Sequence, residues 1–175
     1  MLFAEQEIKR NPAEYILFLW QVEDLLRAIQ FDLSKLTQIL EATPNMDEVM
    51  LRRELTRYQM FIADMRADGI MESGHCSKSM ELLAELHFLH QNLLTVKRDK
   101  RYKELVDAVL PDILAFISKS GQKRMTEIEA CFQALYGLMI LRLRKEPISP
   151  ATQEAMDGFS KVLAYLAKTY AQKNA

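Results

Sequence analysis

The sequence predicts an all-α protein, built as a single-domain bundle of six to seven helices over residues 1–175. No segment alternates apolar and polar residues for long enough to indicate a strand. Apolar residues recur instead at spacings of three and four, which is the pattern of a helix with one buried face. The five glycines and five prolines fall mostly between these stretches, where helices are expected to begin or end.

The first two helices are predicted from their start signals. Asn11-Pro12-Ala13-Glu14 supplies an Asn cap, a proline in the first turn and a glutamate three residues after the cap. We expect this helix to end near Gln30 and to lie at the centre of the bundle, against the sixth helix, because its first half is apolar on all sides. Asp32 begins a second, shorter helix, which ends before Pro44.

The next two helices flank the most loop-like stretch of the chain, MESGHCSKS at residues 71–79. A long third helix is predicted to begin around Asn45 to Asp47 and to end at Gly69, because a glycine favours the end of a helix. A fourth helix follows the loop. Its apolar stripe consists of Leu82, Leu86, Leu89 and Leu93.

The last three helices are separated by clear breaks. Asp99 can cap a fifth helix that ends at Gly121, and Pro111 in its middle predicts a kink or a break just before the proline. A sixth helix is predicted from about residue 122 to residue 145. Ser149-Pro150 repeats the start signal of the first helix and opens the last one.

Charge and cysteine content narrow the class of protein. The chain has 23 Lys and Arg against 24 Asp and Glu, a net charge of −1 that gives no overall field to attract nucleic acid or a membrane surface. Its two cysteines, Cys76 and Cys131, are typical of a reducing compartment. The longest apolar run near the N-terminus, Tyr15–Trp20, has six residues, too few for a membrane span or a signal peptide. We therefore expect a cytoplasmic protein that does not enter a membrane.

A charged group follows the apolar half of the first helix, and we call Trp20, Glu23, Asp24 and Arg27 the polar cluster. One interpretation is an ion pair between Glu23 and Arg27 where a central helix meets water, since residues four apart are neighbours on a helix. The other is a polar pocket with Trp20 as one wall. Arg142 falls inside the apolar stripe of the sixth helix, where an arginine needs a carboxylate. We expect Glu23 or Asp24 to be its partner, within a structural or interface cluster.

Two histidines on the fourth helix, His87 and His90, are three residues apart and within reach of a shared metal ion. The di-iron pattern Glu-x-x-His is absent, because His87 and Ala84 stand where the glutamates should be. His75 and Cys76, in the preceding loop, are the remaining weak metal candidates. As a pair they also resemble an activated thiol, but neighbours in sequence usually point apart. We expect no metal, no cofactor and no catalytic residue, and a hydrogen-bonded core histidine at position 90.

A basic run, KRDKRYK at residues 97–103, is the other charged feature. Electrostatic contact of the basic side chains and Tyr102 with RNA, DNA or an acidic protein is one interpretation. The nucleic-acid version predicts retention on a polyanion column at low salt. Asp99 interrupts the run and the chain as a whole is neutral. We therefore favour a solvated junction between two helices.

Two stretches, NPAEYILFLWQVEDLLRA and IEACFQALYGLMILRLRKEPISPAT, together resemble domain-of-unknown-function family 4924, a family of Bacteroidetes proteins of about this length. The resemblance extends over the whole chain. It implies a bacterial cytoplasmic protein with a single domain. It implies no activity, cofactor or catalytic residue.

We predict a non-enzymatic helical interaction or regulatory protein, whose partner is another protein or a second copy in a homodimer. Ile16, Leu17 and Trp20, on the second side of the first helix, are expected to be covered either by the chain's own second or last helix or by a second subunit. The alternative is a small-molecule or metal-binding helical bundle, and in one version an enzyme, with an internal pocket around His87 and His90.

Overall fold

A computed structural model of the protein describes residues 10–122 and 124–173. These residues form seven α-helices and no strand, which confirms the predicted all-α class. The helices are α1 (Pro12–Ala28), α2 (Leu33–Glu41), α3 (Glu48–Ala67), α4 (Ser77–Thr95), α5 (Lys100–Ser120), α6 (Glu127–Leu143) and α7 (Pro150–Lys173). The chain divides into two compact units. The single domain expected over residues 1–175 stays a prediction.

The predicted helix starts at three aspartates are confirmed. The Asp32 side chain accepts hydrogen bonds from the first backbone N–H groups of α2, and Asp47 and Asp99 do the same for α3 and α5. These N–H groups have no partner inside their own helix, so each carboxylate satisfies donors that would otherwise need water. At the other ends, Gly69 and Gly121 both adopt φ of 71°, a left-handed conformation that glycine takes without a steric penalty.

The break that was one of the two expectations at Pro111 is not observed, and the predicted start of the sixth helix is wrong. The helix α5 continues through Pro111 without a break, with Val109 and Ile113 buried on either side of the proline. Packing of these side chains against α6 and α7 compensates for the single hydrogen bond that a proline removes. The sixth helix begins at Glu127 instead of residue 122, because Thr126 provides the N-cap and accepts from a backbone N–H inside α6.

The first unit contains Glu14–Glu81, which comprises most of α1, the helices α2 and α3, and the first residues of α4. Gln30 and Phe31 connect α1 to α2 with φ of 56° and 58°, so the chain turns within a few residues and α2 packs against α3. The most completely buried side chains of this unit are Ile16, Leu19, Trp20, Leu26, Leu36 and Met65.

The second unit contains the rest of α4 with α5, α6 and α7. Each of the last three helices contacts the other two. Its most completely buried side chains are Leu86, Leu93, Tyr102, Ile113, Phe132, Phe159 and Leu166. Within the described ranges, no helix combines the length and the apolar character that crossing a membrane would require.

Two helical glycines of the second unit are expected to respond in opposite directions to substitution by alanine. A Cβ atom at Gly158 would approach Val109 Cγ1 more closely than van der Waals contact allows, and a valine in a helix has little freedom to rotate away. We expect Gly158→Ala to lower the free energy of unfolding by about 1–3 kcal/mol. The measurement is urea unfolding followed by circular dichroism.

The matched control is Gly137→Ala, in the middle of α6, where a Cβ atom would meet no heavy atom within 4 Å. Alanine loses less conformational entropy than glycine in a helix, so this variant should gain about 0.5–1 kcal/mol. If Gly158→Ala also stabilises the protein, the close approach of α7 to Val109 is not a constraint on the fold.

Candidate functional site

Two residues of the polar cluster, Trp20 and Glu23, are buried and contact the loop that precedes α4. Glu23 is fully buried, with its Oε2 atom 2.7 Å from His75 Nδ1 and its Oε1 atom 2.8 Å from the backbone nitrogen of Cys76. The ring of Trp20 stacks on the His75 ring with centroids 4.0 Å apart and planes 15° apart. Residues three apart lie on the same side of a helix, so Trp20 and Glu23 contact the same loop residue from adjacent positions.

Arg27, one turn further along α1, fixes the earlier part of the same loop. Its Nη2 atom donates to the carbonyl oxygens of Ile70 at 3.0 Å and Gly74 at 2.5 Å, and its Nη1 atom donates to Asp24 at 3.2 Å. Backbone carbonyls in a loop have no partner from secondary structure, so an arginine that satisfies two of them gives the loop one conformation.

These contacts differ from both interpretations of the sequence. Arg27 pairs with Asp24, so the expected Glu23–Arg27 ion pair is not the one formed, and Glu23 lies in the interior instead of at a rim. Trp20 is covered by His75. Arg142 is exposed and donates to Gln153 at 2.8 Å. We expected Glu23 or Asp24 as its partner, so that prediction is wrong. The apolar stripe of α6 is buried only as far as Leu138, so the exposed Arg142 does not need a buried carboxylate to balance its charge.

A groove with a volume of about 720 Å³ lies in the first unit, and α1, α3 and the start of α4 form it. Tyr15 and Leu19 of α1 contribute to its lining, and Cys76, Ser77, Lys78 and Glu81 line it from the side of α4. Along α3 and its C-cap, the lining residues are Arg57, Met60, Phe61, Asp64, Ala67 and the C-cap residue Asp68. Their spacing of three, one, three, three and one traces a single stripe along α3. Helical periodicity in the sequence indicates only the buried face of a helix, so it does not identify this second stripe.

The charged side chains of the groove are not equally engaged. Arg57 Nη1 lies 2.9 Å from Glu54 Oε1, and Asp68 accepts from the backbone N–H and the hydroxyl of Ser77. These two hydrogen bonds from Ser77 hold the pKa of the Asp68 carboxyl below its usual range. Among the described residues, the side chains of Asp64 and Glu81 make no hydrogen bond or ion pair.

Cys76, at the edge of the groove, has the properties of a buried structural thiol. Burial raises its pKa to about 11, although the hydrogen bond from Sγ to Ser79 Oγ opposes that rise. The neighbouring His75 ring is directed at Glu23, not at the sulfur. A thiol of this kind stays protonated near neutral pH, and only the thiolate is a good nucleophile. This explains why the His75–Cys76 pair is not suited to act as an activated thiol.

In the second unit, His90 is completely buried and both of its ring nitrogens have partners. Its Nδ1 atom lies 2.7 Å from the Tyr102 hydroxyl and its Nε2 atom lies 2.7 Å from Glu127 Oε2. A carboxylate only accepts, so Nε2 carries the proton and Nδ1 accepts from Tyr102. The His87 ring lies 5.9 Å from the His90 ring. No group of three or more potential metal-ligating side chains of His, Cys, Asp or Glu occurs in the described parts of the chain.

The hydrogen bonds of His90 also involve Tyr102, the aromatic residue of the basic run at residues 97–103. Tyr102 is fully buried, and Asp99 both caps α5 and accepts from the Tyr165 hydroxyl at 2.8 Å. Tyr102 therefore cannot stack on a nucleic-acid base while α5 keeps this position. The geometry favours the solvated helix junction over the nucleic-acid interpretation of residues 97–103.

The buried position of His90 predicts a loss of stability in mild acid. Burial lowers its pKa below the usual value of 6.5, although Glu127 opposes the shift. Below about pH 6.5 the unfolded chain therefore binds a proton that the folded chain does not, so stability falls as the pH falls, by at most about 1.4 kcal/mol per pH unit. We expect His90→Gln to show a shallower decline in urea unfolding between about pH 6.5 and pH 5. Equal slopes in both proteins would contradict this assignment.

Comparison with known proteins gives one match. Residues 1–175 match the sequence model of a family whose description is Domain of unknown function (DUF4924). The match includes both stretches on which the resemblance rests, residues 11–28 and residues 128–152. No curated protein and no solved structure matches the chain.

Proposed function

We propose that this chain, which belongs to the DUF4924 family of domains of unknown function, is a non-enzymatic interaction protein whose groove binds a helical segment of a partner protein. The observation that carries the proposal is the groove between α3 and the start of α4, with Tyr15 and Leu19 of α1 in its lining. Three helices that leave such a gap offer a surface on which a further helix can pack.

The dimensions of the groove suit a helix of modest length. The lining stripe of α3 extends from Arg57 to Asp68, a rise of about 16 Å and about three helical turns. Phe61 and the exposed Met60 lie within this stripe, and a thioether side chain adapts its shape to different apolar partners. An amphipathic helix could place residues at i, i+3, i+4 and i+7 along the same length.

Binding is favoured over catalysis because the two buried ionisable groups beside the groove, Glu23 and Cys76, already have partners inside the protein. Glu23 accepts from His75 and from the backbone of Cys76, and the Cys76 thiol has a raised pKa. In the second unit, both ring nitrogens of His90 already have hydrogen-bond partners, Tyr102 and Glu127. His90 therefore offers no free nitrogen to a ligand in the alternative internal pocket around His87 and His90.

The proposed partner is another protein, not a second copy bound through the second side of α1. Ile16 and Trp20, for which a second subunit is one of the two expected contacts, are 0% and 2% exposed. We place the protein in the bacterial cytoplasm as part of this proposal. Cys76 and Cys131 support that placement because both are buried free thiols, which persist in reducing compartments.

The test uses three designed helical peptides that share one apolar stripe and differ in the charge of their polar face, which is cationic, neutral or anionic. Binding at the groove is expected to shift the NMR signals of the Met60 methyl group and the Phe61 amide. Ala67→Trp, which places a large ring in the groove, should abolish those shifts. Gln59→Trp, at an exposed position of α3 outside the groove lining, should preserve them. If none of the three peptides shifts these signals, the proposed function is wrong.

A further inference from the structure

We propose that the helix bound by the groove is cationic, with Lys or Arg residues on both edges of its apolar stripe. The inference rests on the proposed function, and it adds the chemistry of the partner to the place of binding. Its basis is the distribution of charge around the groove. Some of the lining charges are engaged within the protein and others are directed at the open space.

The arginine of the groove is compensated by a buried acid. The carboxylate of Glu54 lies 2.9 Å from Arg57 and 4.0 Å from Arg53, and the Glu54 side chain is only 4% exposed. A buried carboxylate attracts a nearby cation more strongly than an exposed one does, because water screens it less. Arg57 is therefore a poor partner for an acidic group on a ligand.

The lysine of the groove is directed at its aromatic lining. Lys78 Nζ lies 5.7 Å from the centroid of the Tyr15 ring, within the range of a cation–π interaction. Lys78 is also the second residue of α4, and a cation at the start of a helix is repelled by the helix dipole. Its alkyl chain can cover part of the groove lining when no partner is bound.

The carboxylates of the groove are the groups that remain for a partner. Asp64 projects from α3 and Glu81 from α4, both are exposed, and neither side chain has a hydrogen bond or ion pair within the described residues. Asp68, on the same stripe as Asp64, stays ionised because Ser77 donates two hydrogen bonds to it. Each helical side of the groove thus carries an exposed carboxylate, with apolar side chains between the two.

This arrangement is complementary to an amphipathic helix with an apolar stripe and flanking cations. The apolar residues of the partner would contact Met60, Phe61 and Ala67, and its Lys or Arg side chains would reach Asp64 on one side and Glu81 on the other. An acidic helix of the same shape would place like charges opposite both carboxylates. Repulsion of that kind discriminates between partners more effectively than the attraction alone.

The experiment measures the dissociation constants of the cationic, neutral and anionic peptides for the full-length chain by fluorescence anisotropy at low salt. The cationic peptide is expected to bind about tenfold more tightly than the anionic one, and high salt should reduce that difference. The double variant Asp64→Asn/Glu81→Gln should remove most of the preference for the cationic peptide over the anionic one. Both positions are exposed, so this variant is expected to fold.

The control replaces two exposed acids outside the groove lining, Glu48 and Asp107, by their amides, which makes the same change in net charge. It should keep the preference for the cationic peptide. If the neutral or anionic peptide binds the groove as tightly as the cationic one, the charge inference is overturned and the proposed function stands. If no peptide shifts the groove signals, both are overturned. Groove signals that change with protein concentration alone would indicate a second copy as the occupant and would also overturn the cationic partner.

Discussion

Substitution of Glu23 by Ala is expected to lower the free energy of unfolding by about 3 kcal/mol, although glutamate is usually a surface residue. The fully buried carboxylate accepts from His75 and from the backbone N–H of Cys76. Its removal leaves that N–H without a partner in the interior and leaves a cavity beside Trp20. The measurement is urea unfolding, with hydrogen exchange of the Cys76 amide as a local probe.

Two further variants separate the hydrogen bonds from the loss of volume and from the loss of charge. Glu23→Gln keeps an oxygen that can accept from Cys76, so it should cost about 1 kcal/mol and keep the amide protected. Asp24→Ala removes a half-exposed carboxylate from Arg27 on the same helix and should cost less than about 1 kcal/mol. If Glu23→Ala and Asp24→Ala have equal effects, the buried contact between α1 and the loop does not stabilise the protein.

Trp20→Ala is expected to cost about 3–5 kcal/mol, a larger loss than that expected for Glu23→Ala. The indole is 2% exposed and stacks on His75, so alanine would remove packing on one side and expose the histidine ring on the other. Because these contacts are made within one chain, the loss should be the same at every protein concentration. The measurement is thermal unfolding over a wide range of concentrations.

Trp20→Phe retains an aromatic face for His75 and should recover much of this stability. Val49→Ala, which shortens a side chain that is 75% exposed in the same unit, should change the stability by less than about 0.5 kcal/mol. A loss in Trp20→Ala that disappears at high protein concentration would instead restore the homodimer contact that the sequence suggested.

The two histidines His90 and His75 differ in how much of their environment can be predicted from neighbouring residues. His90 falls on a leucine stripe, and a histidine in that position is usually hydrogen-bonded in a core, which is where the structure places it. His75 lies in a loop, and no residue near it in the sequence indicates that its partner is Glu23 of α1. The same holds for the groove, since Asp64 and Glu81 look like ordinary surface acids until α3 and α4 are placed side by side.

The sequence by itself determined the all-α class and most helix boundaries, because these depend on neighbours within one or two turns. An aspartate before a helix satisfies the nearby N–H groups wherever that helix packs, and a glycine after it adopts a left-handed conformation equally well. Tertiary structure alone decided which charges are buried, which partner each one takes and where a groove stays open. Those outcomes depend on desolvation and on distances between segments far apart in the chain, such as Glu23 and His75. Helical periodicity along a single segment does not contain that information.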